Sequence, residues 1–116
     1  MKHYRWEDVK LEQLSPTISR RMVWGEKSMA ARVFLKKGAV VPEHKHDNEQ
    51  ITMILEGTLE FQIGGKTLVV RAGDVLVIPG GMPHAAKALE DTDDLDVFCP
   101  PRQDWISGND AYLRGR

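Results

Sequence analysis

GAVVPEHKHDNEQITMILEG at residues 38–57 and GDVLVIPGGMPH at residues 73–84 carry three of the four histidines in the chain. His44-Lys45-His46 is a pair two residues apart, and in an extended strand such residues point to the same face. Both imidazoles can then enter one cavity. Gln50 shares their parity, whereas Glu49 has the opposite parity and is expected to point away. His84 follows the Pro79-Gly80-Gly81-Met82-Pro83 turn. Three neutral imidazoles suit a divalent metal such as Zn, Ni, Fe or Mn. A further oxygen from Gln50 would still leave room for water or a ligand.

Outward from these stretches the chain alternates short apolar segments with turn residues. Met29 to Leu35, Val40 to Val41, Gln50 to Leu55, Thr58 to Ile63, Thr67 to Arg71, Val75 to Ile78, Ala85 to Leu89 and Leu95 to Phe98 are each of strand length. Gly64-Gly65 sits between two of them and predicts a two-residue hairpin, because a primed turn needs positive φ. Gly73-Asp74 and Pro79-Gly80-Gly81 bound the next two. Pro16 and Pro100-Pro101 oppose long helices, although a short helical turn fits Asp104 to Ile106. The expected class is all-β, a jelly roll or closed barrel that pairs its own strand edges.

The glycines, proline and histidines also fall in a recognisable register. Five residues separate Gly38 from His44, three separate His46 from Gln50, and six separate Gln50 from Gly57. Five more separate Gly73 from Pro79, and two separate Gly81 from His84. This arrangement resembles the two motifs of the cupin superfamily. The resemblance implies a double-stranded β-helix, a small jelly-roll barrel with one divalent metal ion inside. It makes His44, His46 and His84 metal ligands, with Gln50 at the usual glutamate position. Ala88 stands where the second motif usually ends in asparagine. Three imidazoles and a carboxamide add no negative charge, so a divalent ion would keep its full charge. Such a shell favours Lewis-acid work over oxygen chemistry.

The stretch from Asp96 to Arg102 is the second informative region. Asp96 and Phe98 share parity on the last strand and can both face the interior. Pro100-Pro101 stiffens the strand exit and is expected to hold Arg102 at the barrel rim. Arg suits a bidentate grip on a carboxylate, and Asp beside a metal suits proton transfer. Composition alone would read Asp96 as part of a solvated acidic stretch (Glu90, Asp91, Asp93, Asp94). Asn48-Glu49-Gln50 together with Asp-Val-Phe-x-Pro-Pro-Arg, however, resembles the small cupins of pectin and alginate breakdown, the KdgF type. That likeness implies ketonisation of 4,5-unsaturated uronates. It assigns Asp96 and Arg102 to catalysis, and Phe98 and Arg102 to substrate binding. The alternatives are another metal-dependent cupin enzyme, a dioxygenase or isomerase, and a non-catalytic sugar-acid binder.

Size and charge bound the rest. The chain has 116 residues and a net charge of -1, with 16 basic and 17 acidic residues. One domain is expected: an N-terminal arm over residues 1–28, a barrel over 29–102 and a C-terminal tail over 103–116. Scattered, balanced charge gives no footprint for nucleic acid or an anionic membrane. No apolar run approaches the roughly 20 residues that span a bilayer. The first eight residues lack the apolar stretch of a signal peptide, so a cytoplasmic protein is expected. The single cysteine, Cys99, excludes an internal disulfide and is expected as a small buried hydrophobe. His3 is expected at the surface, and Leu113-Arg114-Gly115-Arg116 as a loose tail. The expected partners are a small sugar acid and a second copy of the chain. Trp6 and Trp24 would pack across that homodimer, or else cap their own barrel.

Overall fold

The computed structural model describes residues 1–115. Ten strands form two antiparallel sheets that face each other. The strands are β1 (Glu12–Gln13), β2 (Ile18–Trp24), β3 (Met29–Leu35), β4 (Val40–His44), β5 (Glu49–Glu56), β6 (Thr58–Ile63), β7 (Lys66–Arg71), β8 (Val75–Ile78), β9 (His84–Ala88) and β10 (Thr92–Cys99). The first sheet runs β1-β2-β3-β10-β5-β8 and the second β4-β9-β6-β7. This is the all-β jelly roll that the alternating apolar segments predict.

Alternation explains which side chains meet. Every second residue of β3 is buried: Met29, Ala31, Val33 and Leu35. They pack with Ile54 and Ile78 of the same sheet against Leu59, Phe61, Val70, Ala86 and Ala88 of the other. Each large aliphatic side chain here stabilises the fold by about 1.5–3 kcal/mol. The hairpin at Gly64-Gly65 forms as predicted, with φ of 58° and 74° and Ile63 opposite Lys66.

The two ends of the chain depart from the sequence reading. The N-terminal arm contains a full strand, β2, paired along its length with β3. Its run Ser19-Arg20-Arg21 hid it, because Arg20 faces inward and is fully buried. The N-terminal residues lie against their own chain: Arg21 donates to the carbonyls of Trp6 and Glu7, and Arg32 stacks on Trp6. Nor is the C-terminal segment loose. A short helix, α1 (Gln103–Ile106), buries Trp105, and a turn over Ala111–Leu113 buries Leu113. Arg114 pairs with Asp110 at 2.6 Å. Arg116 lies outside the described residues. Cys99 is exposed, not buried, because inward Phe98 turns its neighbour outward.

Charge joins these two ends. The buried Arg20 guanidinium meets Asp110 at 2.6 Å and Glu12 at 3.3 Å, and it lies 4.7 Å from the Trp105 ring centre. A buried guanidinium left without its partner is strongly destabilising. Asp110→Ala should therefore lower stability by about 3–5 kcal/mol, read by urea denaturation. Arg20→Met combined with Asp110→Ala should recover much of that loss. A single variant as stable as the parent would remove the pair from the fold's support.

Candidate metal centre and adjoining cavity

Three histidines converge where the two sheets meet. His44 ends β4 and lies opposite His84, the first residue of β9. His46 follows in the loop between β4 and β5, just beyond the strand. The same-face argument therefore holds for His44 alone, and the loop brings His46 back. Ring centres lie 4.3 Å (His44 to His84), 5.2 Å (His46 to His84) and 5.7 Å (His44 to His46) apart. One nitrogen from each ring lies within 4.8 Å of the others.

The backbone chooses which nitrogen that is. Nδ1 of His44 lies 2.9 Å from the Pro42 carbonyl, Nδ1 of His46 lies 3.1 Å from that of Asn48, and Nδ1 of His84 lies 2.8 Å from that of Met82. A carbonyl only accepts, so each Nδ1 carries the hydrogen and each Nε2 keeps a lone pair. Burial pushes His44 and His46 down to about 4 and lowers His84 as well. The rings are neutral at neutral pH, the form that ligates metals.

Gln50 extends the set. Its amide nitrogen donates to Thr52 Oγ1 at 2.8 Å, and Thr52 donates in turn to Asp96 at 2.7 Å. That chain turns the Gln50 oxygen toward His46 Nε2, 3.1 Å away. A carbonyl oxygen and a ring lone pair at this distance call for a cation between them. Nε2 of His84 is buried with no partner among the described residues. The residues present thus fit a divalent ion. Glu49 is exposed, as its parity predicts.

Beyond this centre the inner face of the first sheet is a polar ladder. The register sets Gln50 opposite Phe98, Thr52 opposite Asp96 and Ile54 opposite Asp94. Phe98 is buried between the rings of His46 and Trp105. Asp94 and Asp96 are both buried. Burial, with Asp96 beside it, pushes Asp94 well above the carboxylate range. Burial also raises Asp96, against hydrogen bonds from Thr52 and Gln50 that hold it down. Sequence reasoning left Asp94 in the solvated acidic run, although its parity matches Asp96 and Phe98. Arg20 and Tyr112, which also line the cavity, gave no signal at all.

Arg102 differs from expectation. It is buried rather than at the rim, with 1% of its surface exposed. Its fork is already engaged: Nε and Nη2 donate to Asp104 at 2.9 and 2.7 Å. Only Nη1 has no partner among the described residues. The cavity lined by His44, Gln50, His84, Asp96, Phe98 and Arg102 is about 50 Å³, room for roughly four waters at ~10–15 Å³ each.

The second motif also shapes the first. The Gly81 amide donates to the His46 carbonyl at 2.7 Å. A Cβ on Gly80 would stand 2.2 Å from the Asp47 carbonyl oxygen, so only glycine lets the two loops touch. Asn48 ties the same loop to the Pro100 carbonyl at 2.6 Å. Gly80→Ala should displace the His46 loop and weaken retention of a divalent ion at least tenfold, read by competition with a chromophoric chelator. Unchanged retention would show that the contact does not position His46.

Comparison with known proteins agrees with this geometry. The family described as Cupin domain matches residues 31–100. The pectin degradation protein KdgF of Dickeya dadantii is 31% identical over 103 residues, which cover 86% of this chain and 94% of that protein. An oxalate-binding protein of Thermotoga maritima is 30% identical over 82 residues, covering 70% of this chain and 68% of that protein. The solved structure of KdgF from a Halomonas species superposes with a TM-score of 0.84 at 29% identity, covering 90% of this chain and 98% of that one. Motif spacing, two-sheet architecture and sequence likeness agree, and the chain belongs to the cupin family.

Proposed function

We propose that this cupin is a metal-dependent enzyme of pectin or alginate breakdown that ketonises 4,5-unsaturated uronates without net redox change. The observation that carries the reading is the chain from Gln50 through Thr52 to Asp96. It joins a neutral metal-ligand set to a buried carboxyl group. The likeness to two KdgF proteins supports the substrate class.

In this reading His44, His46, His84 and Gln50 hold one divalent ion (Ni, Zn, Fe or Mn). Such an ion supplies Lewis-acid polarisation of ligand oxygens. Arg102 Nη1 holds the substrate carboxylate and fixes its orientation. Phe98 braces Arg102, whose guanidinium carbon lies 5.1 Å from the ring centre, and it borders the space for the sugar face. Asp96, made more basic by burial, takes the proton of the anomeric hydroxyl. The aldehyde carbonyl forms as the bond from that carbon to the ring oxygen breaks. The ring oxygen leaves as an enolate, and Asp96 returns the proton to C4 to give the ketone. Atoms and electrons balance within the substrate. A cytoplasmic homodimer belongs to the same reading. Exposed Val75 and Val77 on β8, an edge strand of the first sheet, offer apolar surface for a second copy.

The test follows the ultraviolet absorbance of the conjugated double bond in unsaturated monomers derived from galacturonate and guluronate. The metal-loaded protein should consume them faster than a chelator-treated control. Tight binding without conversion would instead make it a sugar-acid binder, and oxygen uptake by an iron-loaded sample would make it a dioxygenase. Asp96→Asn should keep fold and metal yet lose about 100-fold or more in turnover; normal turnover would remove Asp96 from the mechanism. His46→Ala should purify without stoichiometric metal by elemental analysis, and full occupancy would exclude His46 as a ligand.

A further inference from the structure

The free valences of the cavity wall point to a residue that neither motif contains. With Nε and Nη2 held by Asp104, the Arg102 fork cannot grip a second carboxylate with two nitrogens. The other hydrogen on Nη2 goes to the Tyr112 hydroxyl oxygen at 2.9 Å, and Trp105 Nε1 donates to the same oxygen at 3.0 Å. A phenol oxygen that accepts twice has both lone-pair directions filled. Its own O–H then points elsewhere, and no acceptor takes it among the described residues. Arg102 Nη1 is unpartnered too, and both residues line the same cavity as His44 and His84.

Two further features fix this group in place. The Tyr112 ring stacks on His44, with centres 4.5 Å apart and planes at 26°. The Arg102 and Trp105 donors that converge on its oxygen hold the outer end of the ring and leave the phenol hydrogen free to donate. Tyr112 lies beyond residues 31–100, the span shared with the family.

We propose that Tyr112 is a ligand-binding residue: its O–H and Arg102 Nη1 form a two-point site for the carboxylate of the sugar acid. The inference deepens the uronate reading and rests on it for the ligand class. Asp104 aims the guanidinium, and Tyr112 supplies the second donor that the occupied fork lacks.

The test uses the full-length, metal-loaded protein with Tyr112→Phe, which keeps the stacked ring, and with Tyr112→Leu. Calorimetry measures binding of galacturonate, a saturated acid that cannot react, and of neutral galactose. Tyr112→Phe should weaken galacturonate about tenfold, as expected for a hydrogen bond to a charged group. It should leave galactose binding and metal content unchanged. On the unsaturated uronate it should raise KM by a similar factor with kcat within about threefold. A merely structural role would lower thermal stability without that split, and Tyr112→Leu should lose both stability and affinity. Unchanged galacturonate affinity in Tyr112→Phe overturns the inference, as does equal weakening of galactose. If the parent converts unsaturated uronates and Tyr112→Phe binds and reacts like it, the inference alone fails. If the parent binds galacturonate without converting unsaturated uronates, and Tyr112→Phe weakens that binding, the inference stands and the reaction reading fails.

Discussion

Three backbone carbonyls, those of Pro42, Asn48 and Met82, hold the Nδ1 hydrogens of His44, His46 and His84. The chemistry of the centre depends on them. A histidine free to choose its tautomer presents a donor or an acceptor with similar ease, and its ring can rotate away. Here each ring is locked to the residue two positions away in the chain, so local backbone shape is converted into a fixed lone-pair direction. Strand geometry sets the carbonyls at His44, and loop geometry sets those at His46 and His84. The glycine contact between Gly80 and Asp47 keeps the loops in that relation.

A barrel with polar groups on its inner face needs them satisfied, because an unpaired buried polar atom costs about 1–3 kcal/mol. Most of the inner-face groups here are linked. Gln50, Thr52 and Asp96 form one chain. Arg20 is neutralised by Asp110 and Glu12, and Arg102 by Asp104. Trp105 lies 4.7 Å from each guanidinium, so one aromatic ring serves both cations. The exceptions among the described residues are Arg20 Nη1, His84 Nε2, Asp94 Oδ1, Arg102 Nη1 and Asp110 Oδ2, and all but the last belong to side chains that line one cavity. Unsatisfied atoms that cluster where a ligand would sit are what a binding site looks like before it is filled.

Much of this was legible in the sequence, for identifiable reasons. Motif glycines and histidines carry information because turns and ligands each demand one residue type at one spacing. Strand parity placed Gln50, Asp96 and Phe98 inward and Glu49 outward correctly. Parity failed where charge overrode it. Arg20 inside β2 and Asp94 inside β10 look like solvent-facing residues; Asp110 and Glu12 make burial of Arg20 tolerable, whereas burial pushes the Asp94 carboxyl toward its neutral form. Asp110 comes from the C-terminal segment, whose composition resembles a tail. Its order arises from ion pairs and from Trp105 and Leu113, contacts that no local pattern announces. The same reason hid Tyr112, whose neighbours His44 and Arg102 come from other parts of the chain.

Cys99 faces solvent at the end of β10, opposite Glu49 in the strand register and next to Pro100, whose carbonyl anchors Asn48. As the only thiol in the chain, it gives the protein a single natural attachment point for a fluorophore. A dye placed there would sit beside the loop that carries His46, outside the cavity, where its emission can report filling of the interior without touching the groups that do the work.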